Sequence, residues 1–158
     1  MTLQVRRVIT GHDANGKAVV EIDEIATNVK NNRPGAHSLV VWTTDSSPAN
    51  NDGHDDTSNR ATGTTLKGGS VFRIVSFGPG VSPRNHRTDS IDDAVVMSGE
   101  IEMDMDGTMV KLKQGDVLVQ RGTIHNWINR GTEPCVIAFS LIDAKPVEIN
   151  GKHLDAHG

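Results

Sequence analysis

The apolar residues of this chain come in short runs rich in valine and isoleucine, each closed by glycine, proline or an Asn-Gly-type pair, and few segments hold a helical period. β-Branched side chains suit a pleated backbone, and a half-buried strand needs apolar residues only at alternate positions. An amphipathic helix needs them at a longer spacing sustained over a wider window. Val5 to Ile9 and Lys17 to Ile22, joined across Asp13-Ala14-Asn15-Gly16, read as a hairpin. Further strands are expected at Ser38–Thr43, Val71–Phe77, Ala94–Met103, Thr108–Lys113, Asp116–Gln120, Ile124–Asn129 and Pro134–Ile142. Many short strands at close spacing point to an all-β sandwich or barrel.

Residues 44–69 interrupt this pattern. They hold almost no large apolar side chain and are expected to form a long polar surface loop, of the kind that covers a pocket mouth or a neighbouring subunit. An interdomain linker is disfavoured, because the residues before it would supply only about three strands, too few for an independent sheet. With 158 residues, 35% of them hydrophobic, the chain is read as one domain spanning 1–158. The tail, 144–158, loses periodicity and is expected to fray.

Composition removes several function classes. The formal net charge of -4 comes without a basic block or aromatic-basic interleaving, so nucleic acid is not an expected partner. No apolar run is long enough to span a membrane, and the first residues, Met1-Thr2-Leu3-Gln4-Val5-Arg6-Arg7, lack the apolar core of a secretory signal. No membrane partner and a cytoplasmic location are therefore expected. A lone cysteine, Cys135, supports neither an internal disulfide nor a thiolate metal cluster and reads as a buried small hydrophobe.

Two windows could carry chemistry. The first runs from Gly80 to Gly99; in an extended segment His86, Thr88, Ser90 and Asp92 share one side, so one face of a strand gathers polar groups. That face is either the solvent side or the lining of a polar cavity. The second runs from Gly115 to Asn129, where His125 and Trp127 share a face and set an imidazole beside a flat apolar wall, as in a ligand pocket. Arg73 shares parity with Val71, Val75 and Phe77; projecting into a barrel it would suit a carboxylate, and a snorkelling surface arginine is the alternative. His12, His37, His54, His153 and His157 fall in turns, the polar loop or the tail and read as solvated.

The two windows, in this order, resemble the motifs of the cupin family. Its first motif is Gly, five residues, His, one residue, His, three or four residues, Glu, six residues, Gly. Gly80, His86 and Gly99 fit, with Thr88 where the second His belongs and Asp92 where Glu belongs. In the second motif Gly122, His125 and Asn129 fit, with Gln120 in place of Pro and a gap from Gly115 one residue short.

The resemblance implies a cupin-type jelly-roll β-barrel, a double-stranded β-helix, and a homodimer as the common assembly. It also implies a small-molecule enzyme working inside the barrel, with His86, His125 and Asp92 as the catalytic candidates. Thr88, Arg73 and Trp127 are the expected substrate-binding residues. His86, His125 and Asp92 would also be the metal ligands, for Fe, Mn, Ni or Zn, since two histidines and a carboxylate suffice for a facial iron site or a water-completed zinc site. With a metal the expected chemistry is that of a dioxygenase, decarboxylase or isomerase. Without one, the same residues would serve a lyase or dehydratase by acid/base catalysis. The remaining expectation is a non-catalytic barrel that binds a small ligand.

Overall fold

The computed structural model describes residues 3–158; Met1 and Thr2, the start of the stretch read above as lacking a secretory signal, lie outside the described residues. Antiparallel pairing builds an all-β jelly roll. Strands β1 (Arg6–His12) and β2 (Ala18–Ile25) form a hairpin of their own. A six-stranded sheet contains β3 (Lys30–Arg33), β4 (Ala36–Thr44), β5 (Ser70–Phe77), β6 (Ser90–Ser98), β9 (Val117–Arg121) and β11 (Cys135–Asp143), in the order β3-β4-β5-β11-β6-β9. A three-stranded sheet holds β7 (Glu100–Met105), β8 (Thr108–Lys113) and β10 (Asn126–Ile128), in the order β10-β7-β8. A last hairpin joins β12 (Val147–Ile149) to β13 (Lys152–Leu154). Among the described residues no helix is long and apolar enough to cross a membrane.

The main core lies between the six- and three-stranded sheets. Cys135, Ile137, Phe139 and Leu141 of β11 point inward and meet Val71, Val75 and Phe77 of β5, Ile101 and Met103 of β7 and Trp127 of β10. The alternate residues Val136 and Ala138 point outward and pack with Leu39, Val41 and Ile74 under a cover formed by Leu3, Val5, Ala26 and Val29. Strand β11 is thus covered on both faces, which explains its nearly unbroken apolar sequence. Burial raises the Cys135 thiol to about 11, as its reading as a packed small side chain requires.

Four expectations about elements need correction. Ala94–Met103 is two strands in two sheets, because the chain crosses from β6 to β7 at Gly99, whose φ of 78° lies in the left-handed region. The apolar alternation runs on through that crossing, so it carries no sign of the break. A Cβ at Gly99 would lie 2.4 Å from Pro134 O and 2.9 Å from Cys135 Cα, contacts with backbone that has nowhere to retreat. Gly99→Ala is accordingly expected to cost about 2–3 kcal/mol, read from urea unfolding; a loss under ~1 kcal/mol would show that the crossing does not depend on this backbone conformation.

The second correction concerns the tail. It does not fray: beyond β12 and β13, His157 exchanges two backbone hydrogen bonds with Arg87, at 2.9 and 3.0 Å. Backbone pairing holds it, and backbone pairing leaves no hydropathic trace. Third, β3 was not expected, because Lys30-Asn31-Asn32-Arg33 contains no apolar residue. Finally, Ile124–Asn129 shortens to Asn126–Ile128, His125 instead forming an isolated bridge with His86.

The long loop is ordered by a local cap and tied to the barrel at several places. Asp56 caps the single 3-10 turn at Thr57–Asn59 by accepting from Ser58 N. Thr43 donates two hydrogen bonds to Thr57, from its hydroxyl to the carbonyl at 2.8 Å and from its backbone N–H to the hydroxyl oxygen at 3.0 Å. Leu66 packs on the main core. Arg7, whose side chain is 5% exposed, donates to Glu24 of β2, to Asp56 of the loop and to Val41 O of β4, so one guanidinium joins the hairpin, the loop and the sheet.

Candidate active site

The two sequence windows meet in space through their backbones. His86 N donates to His125 O at 2.9 Å and His125 N donates to His86 O at 3.0 Å. Such a reciprocal pair places both side chains on the same side of the ladder. The imidazole centroids are consequently 4.1 Å apart, with the rings tilted by 52°. Trp127 sits edge-on to His125, at 5.8 Å between centroids, and stacks on Phe77 at 5.6 Å. It therefore serves as core packing and as pocket wall at once.

These rings line a cavity of about 590 Å³ inside the barrel, within the usual range for small-molecule sites. His86, Thr88, Asp92, Arg73, His125 and Trp127 all border it. The polar face of the first window is therefore the cavity face, and Ser90 and Asp92 are buried there. Residues 58–64 of the long loop form part of the cavity wall, and Arg73 holds them by donating to Gly63 O at 2.7 Å and Thr64 O at 3.2 Å.

Each imidazole is oriented by a backbone carbonyl. Nδ1 of His86 donates to Arg84 O at 3.0 Å and Nδ1 of His125 to Thr123 O at 2.9 Å. A donor at Nδ1 fixes the tautomer that leaves Nε2 with its lone pair. Burial lowers the pKa of His125 to about 4, with the neighbouring His86 adding to the effect. Burial also lowers His86, helped by the positive charges of Arg84 and Arg33 against the raising effect of its own carbonyl partner. At neutral pH both rings are neutral bases.

Gln120 adds a second support. Its side-chain amide lies against Nδ1 of His125, while its Oε1 is buried without a partner. Turned so that Oε1 faces the ring, the amide accepts the Nδ1 proton together with Thr123 O, and its Nε2 takes the unpartnered place. Gln120 had appeared in the sequence only as a departure from a proline.

The carboxylate behaves differently. Asp92 accepts from Ser90 Oγ at 2.6 Å, and Ser90 Oγ lies 2.7 Å from Thr88 Oγ1, so three side chains on one strand face form a hydrogen-bonded row. Burial raises the Asp92 pKa, against the lowering effect of Ser90. Among the described residues no three His, Cys, Asp or Glu side chains are placed to share a metal ion. The expected set His86, His125 and Asp92 is therefore not assembled: Asp92 is one methylene short of Glu, and its carboxylate is engaged by Ser90 on its own strand. Two imidazole donors stand together, and two do not make the three-ligand site the sequence implied.

Sequence reasoning missed Arg33 and Arg84, which also border the cavity. Arg84 shares parity with His86, Thr88 and Asp92 and was legible on that ground; Arg33 lies on the strand that carries no apolar signal. Asn129, matched to the second motif, is structural: it donates to Phe77 O and Glu133 O and accepts from Gly131 N.

Comparison with known proteins agrees with the architecture. A family model described as a cupin domain matches residues 73–142. The chain is 35% identical to the cupin-domain-containing oxidoreductase fogC of Aspergillus ruber, over 98% of this chain and 80% of that protein. It is 40% identical to phomopsin biosynthesis cluster protein C' of Diaporthe leptostromiformis, over 94% of this chain and 83% of the relative. Among solved structures, the cupin domain of Schizosaccharomyces pombe Cnp3 aligns with a TM-score of 0.52 at 11% identity, covering 87% of each chain. A double-stranded β-helix protein of Klebsiella pneumoniae aligns with the same TM-score at 20% identity, covering 83% of this chain and 92% of the other. With relatives 35% and 40% identical over more than nine-tenths of this chain, the two motif windows joined at His86 and His125, and the jelly roll around them, this chain belongs to the cupin family.

Proposed function

We propose that the protein is a small-molecule enzyme that transfers a proton at a carbon next to a carbonyl group, inside the barrel cavity. The observation that carries this reading is the pair of neutral imidazoles, each anchored at Nδ1 by a backbone carbonyl and each bordering the same cavity. An anchored neutral imidazole is a base whose Nε2 lone pair has a fixed direction. The substrate C–H bond breaks, its proton passes to Nε2 of His125, and its electron pair moves onto the carbonyl oxygen to give an enolate. The cationic side chains lining the cavity stabilise that oxygen. Return of the proton to a different atom completes an isomerisation, and loss of a β-substituent completes an elimination.

A second reading is supported by the description of relatives such as fogC as oxidoreductases: redox chemistry with a divalent metal, Fe, Mn, Ni or Zn. The two imidazoles would contribute to such a site, and the carboxylate as placed would not. Solvent exchange separates the readings. In D2O, with a panel of small enolisable carbonyl compounds followed by proton NMR, the protein is expected to exchange the α-proton of at least one, and to do so unchanged after EDTA treatment. Exchange lost on EDTA treatment and restored by Fe(II), Mn(II), Ni(II) or Zn(II) would replace proton transfer by the metal reading. Ligand binding without exchange under either condition would leave a non-catalytic barrel.

A further inference from the structure

The chain as a whole carries a net charge of -4, yet its cavity is cationic. Lys30, Arg33, Arg60, Arg73 and Arg84 line it, against the single carboxylate of Asp92. Among the described residues, Arg33 and Arg73 form no ion pair, and Arg60 reaches Asp45 only at 3.4 Å. The protein partners of Arg33 and Arg73 are backbone carbonyls: Arg33 Nε donates to Ser82 O, and Arg73 to Gly63 O and Thr64 O, while Arg84 donates to the oxygen of the last residue, Gly158. Carbonyls fix the direction of a guanidinium without neutralising it. Three arginine donors remain buried with no acceptor, Nη2 of Arg33, Nη1 of Arg60 and Nε of Arg73. Arg84 acts electrostatically on both Arg33 and Arg73, so the three charges share one region and repel one another.

Like charges gathered in a partly dry cavity, with spare planar donors, lack a counter-anion. We propose that the cavity takes a small organic oxyanion, a carboxylate or a phosphate monoester, whose charged group is held by Arg33 and Arg73. Guanidinium forks match the paired oxygens of either group. The apolar wall of Phe77, Trp127 and Phe139 takes the carbon skeleton. Placing the carbon to be deprotonated at His125 rests on the function proposed above; the anion site does not.

Isothermal titration tests this with matched pairs: succinate and dimethyl succinate, benzoate and benzamide, glycerol 3-phosphate and glycerol, all at constant ionic strength. At least one anion is expected to bind roughly tenfold tighter than its uncharged counterpart, and which pair responds separates carboxylate from phosphate. Arg33→Gln is expected to weaken that anion roughly tenfold, with Arg33→Lys losing less. Arg73 also holds the loop, so Arg73→Gln is paired with a far-UV and thermal check of folding, and Arg33→Gln alone suffices if it fails. The double variant His86→Ala, His125→Ala is expected to keep the anion preference. No preference for an anion in any pair, or an affinity unchanged by Arg33→Gln, would overturn the proposal. Anion binding retained where α-proton exchange is absent would overturn only the proton-transfer reading.

Discussion

Replacing His125 with alanine is expected to lower kcat/KM for the α-proton reaction by about 10²–10⁴-fold, the usual worth of a positioned general base, or roughly 3–5 kcal/mol at the transition state. The same replacement should remove an acid sensitivity from the fold. In the native protein the His125 pKa is about 4, against about 6.5 for an unfolded chain. Between those values the unfolded chain takes up a proton that the folded one refuses. Stability from the neutral buried ring is thus fully present above about pH 6.5, is lost as pH falls toward about 4, and levels off below. The shift corresponds to about 3 kcal/mol across that window. Urea midpoints from pH 4 to 7 should therefore slope in the wild type and slope less steeply in His125→Ala, where the buried His86 still contributes, while turnover collapses. A variant that keeps turnover, or a wild type with flat midpoints, would remove His125 from the role given to it. Gln120→Ala should reproduce part of the kinetic loss with a smaller change in slope, since the Thr123 carbonyl still holds Nδ1.

Arg7→Met should destabilise the fold by about 3 kcal/mol, toward the low end for breaking a buried ion pair because Asp56 and Glu24 keep some solvent. Removing the guanidinium leaves Asp56 without its partner and frees Val41 O. The hydrogen bonds from Arg7 hold the Asp56 carboxyl well below its usual range. Its stabilisation is therefore present above about pH 4 and lost as pH falls below that value. This window lies under that of His125, so one series of midpoints against pH resolves both groups. Residues 58–64 form part of the cavity wall, so loosening the loop at Asp56 should raise KM more than it lowers kcat. An equal fall in kcat and kcat/KM would place the loop in the chemistry instead.

The strands and their faces were legible because alternation is a local property. On β11 the inward set Cys135, Ile137, Phe139 and Leu141 and the outward set Val136 and Ala138 could be separated by parity alone. The polar row His86, Thr88, Ser90 and Asp92 was legible in the same way, but parity could not say whether its face met water or a cavity. Motif spacing located His86 and His125, and Arg73 and Trp127 were placed by the faces they share. All six residues named from the sequence border the cavity.

What was lost involved interactions without a hydropathic signature. The crossing at Gly99 depends on a dihedral angle, the ordered tail on backbone bonds to Arg87, and β3 on pairing between polar residues. The disposition of Asp92 turned on a hydroxyl two residues away, and the cationic character of the cavity on Arg33 and Arg84 arriving from separate parts of the chain. By itself the sequence determined an all-β chain, the faces of its strands and the pair of histidines, because each follows from residue type and spacing. Tertiary structure decided that the imidazoles meet at one cavity, that the carboxylate stays apart from them, and that four arginines and a lysine surround the space. Convergence of distant side chains is set by strand register and loop closure, and no local pattern encodes either.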